Sequence, residues 1–382
     1  MKSNNSGWQT KAFSDVFDLK QGKHLPLIEL NGGSYPVFGA NGLVGYYNKF
    51  MYEVPTLLVT CRGATCGSIN STQPFSWVTG NAIALIPKEK IIHDFFYYQL
   101  KHQSFRDVIS GSAQPQIIVT TLSKKKILVP PLTIQKQIAE ILEKTDQSKQ
   151  KRKEANKLTD EFLQSVFIEL FGDPVKNPKG WETKKIKELV SIPLQNGAYF
   201  TEEKYTADDS KGIEMVHMSD AFYETVKSGG LKRVIAKESE IEKYELQNGD
   251  ILIARRSLTF EGAAKACLVK VDNSPLIYES SFIRIRVDSK YLLPIYLFSF
   301  LSNDNARKAY VLKYVTSSTI SGINQTNLSE VGVLIPPLSL QQQFSEIVNK
   351  TVALKEKQKQ SEQELENLFQ SLMQKAFKGE LV

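Results

Sequence analysis

Thiols and imidazoles are scarce in this 382-residue chain, which has three cysteines and four histidines. Cys61, Cys66 and Cys267 are odd in number and lack zinc-site spacing, so neither a disulfide framework nor a thiolate metal site is expected. They read as neutral thiols in a reducing cytoplasm. His24, His93, His102 and His217 stand at no ligand spacing. No stretch of eighteen apolar residues occurs, which excludes a membrane-spanning helix, and the start MKSNNSGWQT lacks the apolar core of a signal peptide. Phosphate-loop, zinc-protease and dinucleotide fingerprints are missing. The two Pro-Pro pairs read VPPL and IPPL, not the Asn/Asp-Pro-Pro-aromatic run that holds a flipped base in amino-methyltransferases. Glu202-Glu203-Lys204 has no upstream carboxylate partner and reads as a solvated charge run. No catalytic residue and no metal ligand is therefore nominated; a long chain without a reactive cluster is expected to be a binding component.

One-signed charge is also modest. The formal net charge of +7 is spread thinly: residues 1–121 hold 10 basic against 7 acidic side chains, and residues 181–328 hold 20 against 19. A polyanion partner is hinted at, with much of any phosphate grip coming from elsewhere.

What the chain does have is a duplication. Residues 122–171 match residues 328–377 at 18 of 50 positions without a gap, opening on LSKKKILVPPLTIQKQ and LSEVGVLIPPLSLQQQ. A shorter echo, Trp8-Gln-Thr-Lys against Trp181-Glu-Thr-Lys, marks where each half begins. The expected layout is a globular part over 1–131, a long helix over 132–173, a second globular part over 174–337 and a second long helix over 338–382. The helical copies match closely while the globular copies have diverged, which suits one shared job and two different ones.

Each helical copy follows a Pro-Pro pair, which enforces an extended approach, and Thr133 and Ser339 stand where an N-cap belongs. Apolar or small residues then recur at alternating spacings of four and three, as at Ile134, Ile138, Ile141 and Thr145, or Phe344, Ile347, Thr351 and Leu354. This 3.5-residue period needs a partner helix, and the other copy is the nearest one. An antiparallel pair would relate the halves by a pseudo-two-fold axis. Polar residues interrupt both stripes at mid-helix (Arg152, Gln358). Near the helix ends, Phe167, Leu170, Phe171, Phe369, Met373 and Phe377 are expected to leave apolar surface for other subunits.

The globular copies mix short β-rich runs such as TLLVTCRG (56–63) and GDILIARRS (249–257) with helical patterns at 94–109 and 294–312, an α+β composition. In each, a strand runs into arginine: Arg62 in the first, Arg255 and Arg256 in the second. Arginine displayed at a strand end suits a guanine edge or a phosphate as well as an ordinary salt bridge. A polar loop precedes each long helix, SGSAQPQ with Gln114 and Gln116, and SSTISGINQ with Thr319 and Asn324. Gln and Asn can pair with adenine, although such loops are common. The turn Gly39-Ala40-Asn41-Gly42 could present backbone amides, with Tyr46-Tyr47 beside it, or simply close a hairpin.

Taken together, YPVFGANGLVGYY (35–47), RGATCGSIN (62–70), GSAQPQI (111–117), both PPL-x-x-Q-x-Q runs, FGDPVKNPKGW (171–181) and LQNGDILIARR (246–256) make the chain resemble the specificity subunits of type I restriction–modification systems over nearly its whole length. The resemblance implies an α+β protein with two target-recognition domains, separated by two long helices paired as an antiparallel coiled coil. Each domain would read one half of a split site in double-stranded DNA. The helices would dock two methyltransferase subunits, with restriction subunits added outside. S-adenosylmethionine, Mg²⁺ and ATP would belong to those partners, and this chain would carry no cofactor. The DNA contacts nominated on this basis are Arg62, Gln114, Gln116, Asn196, Tyr199, Arg255, Arg256, Thr319 and Asn324. The rival readings are a coiled-coil scaffold and, further off, a diverged DNA methyltransferase or nuclease.

Overall fold

Two helices of 40 and 41 residues, Leu132–Phe171 and Leu338–Lys378, dominate the computed structural model, which describes residues 7–30, 32–111, 114–221, 225–271, 274–316 and 320–382. At 1.5 Å per residue each is about 60 Å long. No helix among the described residues is long and apolar enough to cross a membrane. The chain packs as two units, 1–154 with 358–382, and 155–357. Packing thus divides both helices at their middles, rather than separating helices from globular parts.

In the first unit, a four-stranded sheet comprises β1 (Phe17–Gln21), β2 (Leu57–Thr60), β3 (Ile69–Ser71) and β4 (Ala82–Pro87), in the order β1-β4-β2-β3. Leu57, Leu58, Val59 and Thr60 are all buried, as a central strand covered on both faces requires. Phe13, Phe17, Phe95 and Phe96 fill the core, joined by Ile138 and Leu142 of the first long helix and Met373 and Ala376 of the second. The helix segments in this unit are tied by Lys149 to Glu366 at 2.8 Å, and the Lys149 ammonium lies 4.1 Å from the Phe369 ring centre.

The second unit holds a five-stranded sheet built from β5 (Gln195–Asn196), β6 (Thr225–Lys227), β7 (Ile251–Ala254), β8 (Ala266–Lys270) and β9 (Phe282–Ile285), ordered β5-β9-β7-β8-β6. Its helix segments run antiparallel. Asp160 meets Lys355 at 2.5 Å, and eleven residues further along the first helix Phe171 packs on Phe344, eleven residues back along the second.

Both globular parts close the same way. Gln9–Ala12 pairs antiparallel with Lys126–Val129, and Glu182–Lys185 with Gly332–Ile335, so each Trp-x-Thr-Lys start zips onto the strand before a Pro-Pro pair. A buried glutamine one turn into each helix locks the junction. The Gln135 side chain donates to Pro130 O at 2.8 Å and accepts from Ile92 N, while Gln341 donates to Pro336 O at 2.8 Å and accepts from Leu293 N.

One expectation needs correction. Phe167, Phe171, Phe369 and Met373 are buried in the cores of their own units, and Leu170 and Phe377 pack against those cores. Phe167, Phe171, Phe369 and Met373 are spent inside the chain, because helix ends flanked by aromatic-rich sheets bury their apolar faces there, whereas Leu170 and Phe377 stay partly exposed. The 3.5-residue stripe is buried at Ile138, Thr145, Thr159, Val166, Phe344, Thr351 and Gln358 and opens to solvent at Phe162, Leu354 and Leu368, which are about half exposed. At mid-helix the buried stripe positions are Thr145, Thr159, Thr351 and Gln358, with each threonine hydroxyl donating to the carbonyl four residues earlier.

Candidate nucleic-acid interface

In the first unit the buried strand β2 delivers Arg62 to the surface. Cys61 is clamped on both sides, its N–H donating to Asn81 O and its carbonyl accepting from Ile117 N, each at 2.9 Å. Arg62 is thereby bridged to Gln116, and both side chains are exposed. Gln116 also pairs with Ser110 through two backbone bonds of 2.8 and 2.9 Å, which closes the loop that carries the exposed Gln114. The Gly39–Gly42 turn lies against this group. Thr60 Oγ1 donates to Ala40 O at 2.6 Å, Asn70 Nδ2 donates to the same carbonyl at 3.2 Å, and Thr65 Oγ1 donates to Asn41 Oδ1 at 2.7 Å. Gly67 must be glycine, since its φ is +89° and a Cβ would come 3.1 Å from Phe105 Cβ.

The second unit repeats the frame with other side chains. Arg255 N donates to Ser281 O, Ile323 N donates to Arg255 O, and Gly322 pairs with Thr316 through two backbone bonds. Arg256 pairs with Gly322 and Ser257 with Ser321. Position by position, Arg255 therefore stands where Cys61 does, Arg256 where Arg62 does, Gly322 where Gln116 does and Thr316 where Ser110 does. The two neighbouring arginines differ. Arg255 turns back, Nη1 donating to Ser280 O at 2.7 Å, and loss of water around its half-buried guanidinium lowers its pKa. Arg256 is exposed.

Arg255, Arg256, Thr316, Ile320, Gly322, Ile323 and Asn324 line one shallow cleft. Asn324 also caps the short helix Gln325–Ser329, its Oδ1 accepting from Asn327 N at 2.8 Å. Tyr199 is 80% exposed and follows Ala198, whose carbonyl accepts from Ser280 N beside the Arg255 anchor. Asn196 lies elsewhere, on β5, two strands from β7, with its Oδ1 buried and unpaired among the described residues. Thr319 falls outside the described residues. Sequence reasoning did not single out Leu258 and Thr259, which follow Arg256 and are exposed; the only signal was an apolar residue stranded in a polar turn. Among the described residues, no group of three or more His, Cys, Asp or Glu side chains is placed to hold a metal ion.

Comparison with known proteins agrees with this two-part architecture. Residues 5–159 and 178–367 match the type I restriction modification DNA specificity domain. The chain is 28% identical over 393 residues to the type I restriction enzyme EcoKI specificity subunit of Escherichia coli K12, covering 94% of this chain and 82% of that one. It is 26% identical to the StySPI specificity subunit of Salmonella potsdam, covering 84% and 68% respectively. Among solved structures, the type I restriction–modification S subunit from M. genitalium superimposes with a TM-score of 0.63 at 16% identity, covering 99% of this chain and 98% of that one. A chain from a study of complex assembly and conformational transition of the type I system gives 0.56, also at 16% identity, over 98% of both chains. With most of its length matched in two successive segments, the chain belongs to the type I restriction–modification DNA specificity family.

Proposed function

We propose that the two units read the two halves of a bipartite DNA target, the first through Arg62, Gln114 and Gln116, the second through Arg256 with Arg255, Tyr199, Thr319 and Asn324 around it. Asn196 would serve through the β5 edge. The observation that carries this reading is the repeated frame, a buried strand ending in an exposed arginine bridged to the loop before a long helix, occupied by different side chains in each unit. Identical scaffolds with unlike displays suit two readers of unlike sequence.

The helices would measure the gap between half-sites and dock two methyltransferase subunits, with restriction subunits joining that assembly in the cytoplasm. The exposed helix residues Leu158, Phe162, Ile168, Leu354 and Leu368 offer apolar surface for docking. Adenine methylation, with S-adenosylmethionine, Mg²⁺ and ATP, would be the partners' work, and this chain would be non-catalytic. Mapping methylated adenines genome-wide with and without the gene tests the reading. A split motif that vanishes with the gene is expected; methylation that is unchanged without it would contradict the proposal.

A further inference from the structure

Beyond Arg256 the second unit has something the first does not. In both units the chain leaves its central strand and returns to bond the strand's last carbonyl. Gly67 N reaches Thr60 O, seven positions on, whereas Ala264 N reaches Ala254 O, ten positions on. The three additional residues make a loop, Ser257 to Ala264, that stands beside the exposed Arg256.

This loop is built to hold one shape. Thr259 N donates to Ser257 Oγ at 3.1 Å, and Gly262 N donates to both the carbonyl and Oγ1 of Thr259. A Cβ at Gly262 would lie 2.1 Å from Ser257 Oγ, so any side chain there would displace the hydroxyl that accepts from Thr259 N. Ala264 adopts φ 57°, a left-handed conformation that a non-glycine residue holds only when its surroundings compel it. The larger loop turns three carbonyls inward, away from water, and such groups need donors. Arg307 supplies them. Its guanidinium is buried and donates to Glu261 O at 2.9 Å, to Ala264 O at 2.7 Å and to Ala263 O. A planar fork of donors can serve three acceptors at once, which an ammonium on a flexible stem does poorly. In the first unit the shorter turn packs on Phe105 and Ile109 instead.

What this fixed loop presents is Leu258, 88% exposed, one residue beyond Ser257. Ile320, about half exposed, lines the cleft that also contains Arg256. The apolar feature of a DNA major groove is the thymine methyl group.

Resting on the DNA-reading assignment above, we infer that the Ser257–Ala264 loop is a recognition finger of the second unit, that Leu258 meets a thymine methyl in the second half-site, and that Arg307 is the positioning residue that holds the finger in shape.

The test uses the full chain with its co-expressed methyltransferase subunits and the target found by methylation mapping, with uracil replacing thymine in the second half-site. Wild-type binding should fall about tenfold on removal of the contacted methyl. Leu258→Ala, a surface change that leaves folding intact, should bind the thymine target about tenfold more weakly and show no further loss with uracil, the non-additivity of groups that touch. Arg307→Met should lose uracil sensitivity while discrimination at the base pair read by Arg256 and in the first half-site is kept; a merely structural role would disturb the second unit as a whole and remove both second-half-site effects together. If wild type is specific but Leu258→Ala matches it, or if the two losses add, the finger is refuted and the DNA-reading assignment survives. If wild type prefers no bipartite target over random DNA, both fall.

Discussion

Gln341 donates its side-chain amide to the Pro336 carbonyl at 2.8 Å from a fully buried position, and Gln135 does the same to Pro130. The PPL-x-x-Q repeat is therefore a structural joint. It satisfies the carbonyl of a proline that cannot enter the helix, and it holds the N–H of the residue before the next packed helix, Leu293 or Ile92. Replacing either glutamine with leucine leaves buried donors and acceptors unpaired and should cost about 1–3 kcal/mol. Denaturant melts of the full chain check this, and an unchanged midpoint would contradict it.

Arg62 and Arg256 occupy equivalent places in the two units, so alanine at each should relax preference at one base pair in opposite half-sites, by about 1–3 kcal/mol of discrimination. Competition binding against singly substituted targets measures this. Equal loss on target and random DNA would make the residue a phosphate contact instead.

Glu330 lies 2.6 Å from both Lys185 and Lys187. Hydrogen bonds from the two ammonium groups, Lys185 first, hold its pKa down to about 2 from an ordinary 4.5. A carboxylate depressed on folding stabilises above its unfolded pKa, and that contribution drains away as pH falls from about 4.5 toward 2. Solvent exposure and salt keep the effect small. Glu330→Gln should therefore flatten the stability profile across that window, as seen in thermal melts at low ionic strength, and leave it unchanged near neutrality in shape.

The edge-to-face cluster of Phe344 with Phe167 and Phe171 is core, whereas Leu158 and Phe162 face out. Phe344→Ala should cost about 3–5 kcal/mol. Leu158→Ser with Phe162→Ser should shift stability little and reduce co-purification of the methyltransferase subunits. Full retention of those subunits would move the docking face elsewhere.

Much of this was legible in the chain, because duplication, Pro-Pro breaks and buried strand runs are local signals. The pairing of both Trp-x-Thr-Lys starts with the strands before Pro130 and Pro336 gives a physical reason for two motifs that looked unrelated. The fate of Phe167, Phe171 and Phe369 was not legible: periodicity marks an apolar face but not what covers it, and here the chain's own sheets and helices do so. Nor could sequence separate Arg255 from Arg256, since only the Ser280 carbonyl distinguishes the anchored arginine from the displayed one. Arg307 was invisible for the same reason. Its three acceptors are backbone groups more than forty residues away.

The most direct measurement is the spacing of the methylated half-sites after one heptad is inserted into each long helix. Seven residues add about 10 Å to a helix, or about three base pairs of B-DNA. A recognised gap lengthened by up to about three base pairs, with both half-site sequences unchanged, is the expected result. An active complex that still recognises the original gap would contradict the proposal that these helices measure DNA.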